Sequence, residues 1–561
     1  MYDLVIRDAT IFDGAGSAPL QGDLAVSDGK VVAVGGKLGP ATQTLDAAGL
    51  ALAPGIIDGH THYDAQITWD PFVDPSPSLG VTSVVIGNCG FTIAPCKPAD
   101  RDLTMRHLTH VEGMSLDALR AGIRWDFESF PQYMDMLVKN GVGPNVAAFA
   151  GHSAIRTFVL GEDATQRTAT EAEVAKMADL VREAMKAGAV GFASSTAEAH
   201  NGEGGLPMPS RLADDRELRT LVKAMGEGGK GVYMLTRGRT TSIPYLEEIA
   251  AESGRPVVIA ALFHSNTNPE GAFKTLEQVN AARARGHRLT AQTSACPLSM
   301  DFTFRSPYVF ESMQAWKPAM AVHGDEALKR IYADASWRQS VKDEMRAAQG
   351  QRLFNSEWDK LFVVETGRPE NRAKEGADLA SLAKAAGKDP FDYILDFALS
   401  ENLDTYFVAQ LLHNDEKSVG RILADPATHI SLSDAGAHLT FFCDAGFGLH
   451  LMGHWSRDRG VMSLEQAVHR LSGQPAQLFG IQDRGFLRAG QAADLLLFDP
   501  KTVSRGPKKR VFDLPSGAAR LTAGGVGVHG VWVNGTRVAD AKGLCVDRTA
   551  RPGKVLRDFA A

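Results

Sequence analysis

Two histidines separated by one residue follow an apolar run near the start of the chain. Residues 54–64 read PGIIDGHTHYD, so His60 and His62 come directly after the strand-like run 55–58. At an extended strand end, side chains at i and i+2 point the same way, and both imidazoles can reach one metal ion. A lone histidine is more often structural, but this spacing after a buried strand favours a pair of metal ligands.

A carboxylate occupies a similar place much later in the chain. Residues 431–438 read SLSDAGAH, and Asp434 closes the strand-like run 429–433. The structural alternative is a helix N-cap, a position that favours aspartate, and the two roles are compatible. At a strand end beside a metal ion, Asp434 can contact the ion and accept a proton from a water whose pKa the ion lowers.

Two different patterns of secondary structure must position these residues. Short strands and turns fill the first fifty or so residues, and the same rhythm returns at 493–498 and 530–538. We therefore predict one small β domain built from residues 1–54 and 479–561. Between them, helices alternate with short apolar runs, which is typical of βα units and a parallel sheet. We predict an α/β fold, with a (β/α)8 TIM-type barrel over residues 55–478.

The predicted barrel has one strand-like run too many, and one segment does not follow its alternation of strands and helices. Nine strand-like runs occur, at 55–58, 81–87, 145–150, 189–192, 231–235, 256–260, 289–292, 360–364 and 429–433. One of the nine is therefore expected to lie elsewhere. An aromatic-rich insertion is predicted at about 297–357, either as a packed excursion or as a lid or apolar substrate wall over the barrel mouth.

Composition limits the classes of binding partner and the cellular compartment that we expect. A net charge of -7 over 561 residues gives no reason to expect a nucleic-acid or anionic-membrane partner, and a small-molecule substrate fits better. The first eight residues carry charges where a secretory signal needs an apolar core, and no run reaches about 18 apolar residues. Five scattered cysteines fit a reducing compartment. We expect a cytoplasmic protein, and a homo-oligomeric state stays open.

Four segments together resemble the N-acyl-D-amino-acid deacylase (D-aminoacylase) branch of the amidohydrolase superfamily. They are the His-Thr-His segment, GNCG at 87–90, SDAG at 433–436 and DRGFLRAGQAADL at 483–495. The resemblance covers nearly the whole chain. It implies a (β/α)8 barrel with a side β-sandwich and zinc-dependent hydrolysis of the linear amide bond of an N-acylated small molecule.

The resemblance also implies a set of metal ligands. In that branch the cysteine of the GNCG segment is a thiolate ligand, whereas hydantoinases use a carboxylated lysine on the fourth barrel strand. Cys89 matches the cysteine, and the fourth-strand candidate 190–194 contains no lysine. An inert buried thiol is the structural alternative for Cys89. We predict a Zn²⁺ site formed by His60, His62, Cys89 and Asp434.

The sequence departs from the family at its second metal site. The family takes further histidines from the fifth and sixth strands, which align here with LTRGR at 235–239 and AALFH at 260–264. Neither alignment places a histidine where the family has one, and His264 lies a few residues beyond the expected position. We therefore favour one zinc ion, and a second ion is doubtful.

Other polar residues could line the same site. His152 follows the strand-like run 145–150 and would either orient the substrate or stabilise the oxyanion, or be an ordinary hydrogen-bonded loop histidine. His438 follows Asp434 by four residues, one turn away if a helix starts there. The remaining candidates for substrate binding are Arg211, Arg237 and His264, although arginines are most often solvated surface groups.

The predicted activity is hydrolysis of a linear N-acyl C–N bond, with Asp434 as general base and then general acid. Two alternatives stay open. One is a hydantoinase-type hydrolase of cyclic amides, against which the missing fourth-strand lysine argues. The other is a non-catalytic barrel homologue that acts as a scaffold. The missing second-site histidines favour the scaffold, and the retention of all four predicted ligands opposes it.

Overall fold

The structure is a computed structural model that describes residues 1–202, 205–347, 353–437 and 444–561. The chain divides into two compact units. The larger comprises Met1–Leu262, Ala272–Cys296 and Gly420–Ala561, and the smaller comprises Phe263–Gly271 and Pro297–Val419. Among the helices in the described ranges, none combines the length and apolarity that crossing a membrane requires.

Eight parallel strands form the central sheet of the larger unit, and each pairs with the next in chain order. Nearly all of their residues are buried, as expected for parallel strands covered on both faces. The strands are β1 (Ile56–Asp58), β2 (Val81–Ile86), β3 (Asn145–Gly151), β4 (Gly191–Ser195), β5 (Val232–Thr236), β6 (Val257–Ala260), β7 (Leu289–Thr293) and β8 (Thr428–Ile430).

The segments that follow the first and last strands of this sheet are joined to each other. Thr61 and Ala435 form a parallel bridge. The His62 backbone N–H donates to the Ala435 carbonyl at 2.7 Å, and the Ser431 hydroxyl donates to the Ile57 carbonyl at 3.0 Å. The carboxyl ends of β1 and β8 therefore lie side by side.

The helices between the strands begin where the sequence places capping residues. Thr170 and Glu173 form a capping box at the start of helix Glu171–Lys186, and the Asp214 side chain caps helix Asp215–Gly226. The other helices before residue 297 and after residue 415 are Arg101–Val111, Leu116–Gly122, Phe130–Asn140, His152–Leu160, Ile243–Ser253, Gly271–Ala284, Glu416–Ala424, Phe447–His450, Leu464–Leu471 and Gly473–Phe479, with a π-helical segment at Leu451–Asp458.

A nine-stranded sheet contains strands from both chain ends. The link between the ends is the antiparallel pairing of Ala51–Pro54 with Leu495–Phe498. A two-layered sandwich stays a prediction. The other strands of this sheet are Tyr2–Ile11, Leu20–Ser27, Lys30–Val34, Ala41–Asp46, Val528–Val533, Thr536–Asp540 and Gly543–Leu544, and a separate antiparallel pair is Ser504–Val511 with Arg520–Val526.

The smaller unit has its own antiparallel sheet of Leu298–Phe302, Tyr406–Leu412 and Leu361–Glu365. The run 360–364 belongs here, so its prediction as a barrel strand was wrong. Buried and half-buried residues alternate along most of this strand, which suits a sheet covered on one face rather than a buried parallel strand. The unit's helices are Lys317–Met320, Asp325–Ala333, Ala335–Arg346, Leu379–Ala385 and Pro390–Ser400.

The aromatic residues of the predicted insertion pack into the core of this smaller unit. Phe304, Phe310 and Trp316 are fully buried, and the rings of Phe310 and Trp316 stack with their centroids 5.0 Å apart. These side chains form a packed core within a unit that extends to Val419. A lid function for the segment stays a prediction.

Candidate metal centre

The four predicted metal ligands come together after β1, β2 and β8. The ligand atoms of His60, His62 and Cys89 lie within 4.8 Å of one another. Cys89 Sγ is 3.4 Å from His60 Nε2 and 3.9 Å from His62 Nε2. Asp434 Oδ1 approaches from the histidine side, 3.1 Å from His62 Nε2 and 3.6 Å from His60 Nε2. Ligand atoms around one tetrahedral zinc ion are about 3.3–3.8 Å apart, so the close grouping of His60, His62 and Cys89 suits a single ion, while Asp434 lies beside the two histidines at the edge of this group.

Left-handed backbone turns bring Cys89 and Asp434 into this position. Cys89 has a φ of 57° and Asp434 a φ of 58°, a region that few non-glycine residues adopt. A Cβ on Gly90 would lie 2.7 Å from the Ala193 carbonyl oxygen, and one on Gly436 would lie 2.6 Å from the His62 carbonyl carbon. The glycines of the GNCG and SDAG segments are therefore required by close backbone contacts around the site.

Hydrogen bonds orient His60. Its Nδ1 lies 2.8 Å from the side-chain oxygen of Gln292, whose amide nitrogen donates to the Ser431 carbonyl at 3.1 Å. Because that second bond fixes the amide, Nδ1 of His60 must carry the proton and donate it to the Gln292 oxygen. When the ring is neutral, the lone pair on Nε2 faces Cys89 and Asp434, which is the tautomer that a metal ligand needs.

The Cys89 sulfur is held by neighbours on β5 and by the histidines. The Thr236 hydroxyl donates to Sγ at 3.0 Å, and the Cys89 backbone N–H points to the Met234 sulfur at 3.4 Å. Burial alone would raise the pKa of this thiol, but His60 and His62 lower the pKa to about 6. Positive charge on the two imidazoles thus favours the thiolate of Cys89, the form that binds metal ions.

Three further buried carboxyl groups surround the ligands. Asp58 accepts the His60 backbone N–H at 3.3 Å, Asp64 accepts the Gly87 backbone N–H at 3.0 Å, and Glu112 Oε1 lies 3.1 Å from His62 Nδ1. Burial raises the pKa of Asp58 to about 7, of Asp64 to about 6 and of Glu112 to about 8.

Acidic groups thus outnumber the basic groups of this buried cluster. Asp58, Asp64 and Glu112 add to the Cys89 thiol and the Asp434 carboxylate, against the imidazoles of His60 and His62. Burial favours the neutral, protonated forms of Asp58, Asp64 and Glu112, and their charged forms would need a compensating cation. A divalent cation would supply that charge, and nitrogen, sulfur and oxygen donors in this arrangement suit zinc.

His152 lies at the start of helix His152–Leu160 and is completely buried. Its Nδ1 is 2.8 Å from the Ser194 hydroxyl, and its Nε2 is 2.8 Å from Glu217 Oε1. Glu217 also pairs with the buried Arg156. Because both ring nitrogens already have partners, the geometry favours a structural role, and oxyanion stabilisation by His152 stays a prediction without geometric support.

This buried network yields a stability prediction. Glu217→Ala should lower the free energy of unfolding by about 3–5 kcal/mol, because the Arg156 charge would stay buried without its carboxylate. Urea denaturation followed by circular dichroism measures the change. Glu171→Ala is the control, since that side chain is 90% exposed and its ion pair with Arg216 is long, at 3.9 Å. This substitution should change the free energy of unfolding by no more than about 0.5 kcal/mol. Equal effects of the two substitutions would contradict the prediction.

Among the described residues, Arg211, Arg237 and His264 are not part of the ligand cluster. Arg211 donates to the His200 carbonyl at 3.1 Å and to the Asn201 side chain. Arg237 donates to the Thr241 carbonyl and to the Thr275 hydroxyl. His264 belongs to the smaller unit, where its backbone carbonyl accepts the His413 N–H at 2.8 Å. His438 lies outside the described residues. Substrate binding by these four residues stays a prediction.

Metal-ligating side chains at the carboxyl ends of parallel strands are typical of barrel-type metal-dependent enzymes. The family model described as "Amidohydrolase family" matches residues 43–539, and the chain belongs to this family. The predicted relationship to D-aminoacylases is confirmed: the D-aminoacylase of Alcaligenes xylosoxydans xylosoxydans is 30% identical over 548 residues, which cover 96% of this chain and 94% of that protein.

Solved structures agree with the relationship to deacylases of the amidohydrolase family. The N-acyl-D-glutamate deacylase of Bordetella bronchiseptica, complexed with zinc and a phosphonate mimic of the tetrahedral intermediate, is 26% identical with a TM-score of 0.66, and the match covers 99% of this chain and 100% of that one. A D-hydantoinase structure is more distant, at 16% identity and a TM-score of 0.51 over 99% of both chains, and shows the shared fold alone.

Proposed function

We propose that this chain is a zinc-dependent hydrolase that cleaves the linear amide bond of an N-acylated small molecule, with N-acyl-D-amino acids as the first class to test. The observation that carries the proposal is the convergence of His60, His62, Cys89 and Asp434 from three distant parts of the chain. Deacylase relatives that match nearly the full chain support the N-acyl class. We further propose that β1–β8 form the family's (β/α)8 barrel and that the terminal sheet belongs to its side β-sandwich.

In this proposal, a bound zinc ion would polarise the amide carbonyl and acidify the attacking water. His60 and His62 present their Nε2 atoms and Cys89 its sulfur. Asp434 is the most accessible of the four, with its side chain 15% exposed, whereas the other three residues are at most 5% exposed. Its carboxylate accepts the proton of the attacking water and returns it to the leaving nitrogen.

A single ion fits this chain better than two. Where the family's fifth strand supplies a histidine, this chain has Arg237, whose guanidinium donates to Thr241 and Thr275. The neighbouring Thr236 hydroxyl donates to the Cys89 sulfur, so this sulfur already has a hydrogen-bond partner on β5. A cyclic-amide hydrolase is disfavoured because β4 reads GFASS and offers no lysine for carboxylation.

The test combines elemental analysis with a substrate panel. The panel contains N-acetyl and longer N-acyl derivatives of D- and L-amino acids, N-acylated aromatic amines and cyclic hydantoins, with the released amine as readout. We expect bound zinc, amine release from at least one linear class, loss of activity with a chelator and recovery with zinc. A protein without bound metal that stays inactive after zinc addition would favour the scaffold alternative, and hydrolysis of hydantoins alone would favour the cyclic-amide alternative.

A further inference from the structure

Glu112 is a buried carboxylate in a place that disfavours negative charge. It caps the carboxyl end of helix Arg101–Val111, where its backbone N–H donates to the Leu108 carbonyl, and its side chain is 3% exposed. The partial negative charge of a helix carboxyl terminus repels an anion, and burial adds a desolvation penalty. Within the described residues, its one ion-pair partner is His62.

Glu112 and the other predicted ligands lie at opposite edges of the His62 ring. Glu112 Oε1 is 3.1 Å from His62 Nδ1, while Nε2 on the other edge of the ring is 3.1 Å from Asp434 Oδ1 and 3.9 Å from Cys89 Sγ. The 3.1 Å separation is within hydrogen-bond distance, although His62 Nδ1 has no partner with hydrogen-bond geometry among the described residues. A proton shared between Nδ1 and Glu112 leaves the Nε2 lone pair on the side of the other ligands.

The two ligand histidines are therefore supported differently. His60 donates to the neutral amide of Gln292, whereas His62 faces the carboxylate of Glu112. A carboxylate on the remote nitrogen holds the ring in place and makes the metal-binding nitrogen more basic, and loss of such partners typically weakens metal affinity by about 10–100-fold.

We infer that Glu112 is the positioning residue for His62: its carboxylate accepts the Nδ1 proton and holds Nε2 toward the metal ion. This inference rests on the proposed metal site and adds a residue that contacts neither the ion nor the substrate. The chain thereby uses the helix between β2 and β3 to support a ligand that follows β1.

The test measures zinc affinity, by competition with a chromogenic chelator, for wild type, Glu112→Ala and Glu112→Gln. We expect the zinc dissociation constant of Glu112→Ala to rise about 10–100-fold, with most of kcat recovered at saturating zinc. Glu112→Gln keeps an acceptor oxygen without the charge, so its constant should fall between those of wild type and Glu112→Ala. Asp102→Asn, an exposed carboxylate on the same helix, is the matched control and should bind zinc like wild type.

A double-mutant cycle with His62→Ala separates positioning from folding. In the His62→Ala background, loss of Glu112 should weaken zinc binding no further, because Glu112 affects the metal site only through the His62 imidazole. A folded Glu112→Gln or Glu112→Ala protein with the wild-type zinc constant would overturn the inference, as would equal losses in both backgrounds. Wild-type protein that binds no zinc would instead overturn the proposed function itself, so the two failures are distinguishable.

Discussion

Replacing Asp434 by asparagine is expected to lower kcat by about 10²–10⁴-fold, the range that positioned acid–base groups contribute. The amide has nearly the shape of the carboxylate, but it cannot take up the proton of the attacking water or return it to the leaving nitrogen. His60, His62 and Cys89 remain to hold the ion, so zinc content and KM should change much less than kcat. Steady-state kinetics at saturating zinc, with parallel elemental analysis, measure both.

The control for this substitution is Asp458→Asn, which removes a surface carboxylate that pairs with the adjacent Arg457. Its kcat should stay within about twofold of wild type, because surface substitutions away from a site have small effects. Turnover of Asp434→Asn close to wild type, with zinc still bound, would refute proton transfer by Asp434. The carboxylate would then be a ligand or a structural group alone.

The sequence predicted those site residues whose positions follow from residues close to them in the chain. His60 and His62 are two positions apart at a strand end, so their common direction follows from strand geometry. Cys89 and Asp434 were predicted through the resemblance of their glycine-containing segments, and those glycines do make close backbone contacts around the ligands. The eight parallel strands followed from the alternation of helices and apolar runs, although the run 360–364 could not be separated from them by composition.

The supporting residues of the site had weaker signals. Gln292 is 232 positions from His60, and nothing in the run LTAQ at 289–292 connects it to that histidine. Likewise, no local signal marks Glu112, because it ends a helix in an excursion between two strands. Residues of this kind are selected by three-dimensional contact, which a single sequence does not display.

For His152, the sequence suggested a site role that the tertiary contacts do not support. It follows a buried strand just as the ligand histidines do, so the sequence places it near the same end of the sheet. The tertiary structure instead brings Glu217, from helix Asp215–Gly226, to its Nε2 and Ser194 to its Nδ1. Whether a histidine at a strand end is free to act depends on such distant partners, and these cannot be found from spacing.

Substituting Cys89 by alanine is expected to weaken zinc binding by at least about 100-fold, beyond the loss typical of a residue that only supports a ligand. The thiolate is one of three closely grouped buried donors, and alanine leaves its position without any ligand atom. Activity at ordinary zinc concentrations should be lost with the ion. The chelator competition used for Glu112 measures the affinity, and cobalt substitution gives a spectroscopic readout, because a thiolate ligand adds a sulfur-to-cobalt charge-transfer band.

Cys96→Ala is the matched control, since Cys96 is also buried but its pKa is raised to about 11, mainly by burial, which keeps the thiol neutral. This variant should retain zinc and the charge-transfer band, whereas Cys89→Ala should lose both. If Cys89→Ala kept wild-type zinc affinity, the two histidines and Asp434 would suffice to hold the ion, and the thiol would be a packing residue. The site would then lack the cysteine ligation that the resemblance to the deacylase branch implies, and metal chemistry at this position would have to be argued from the remaining three residues.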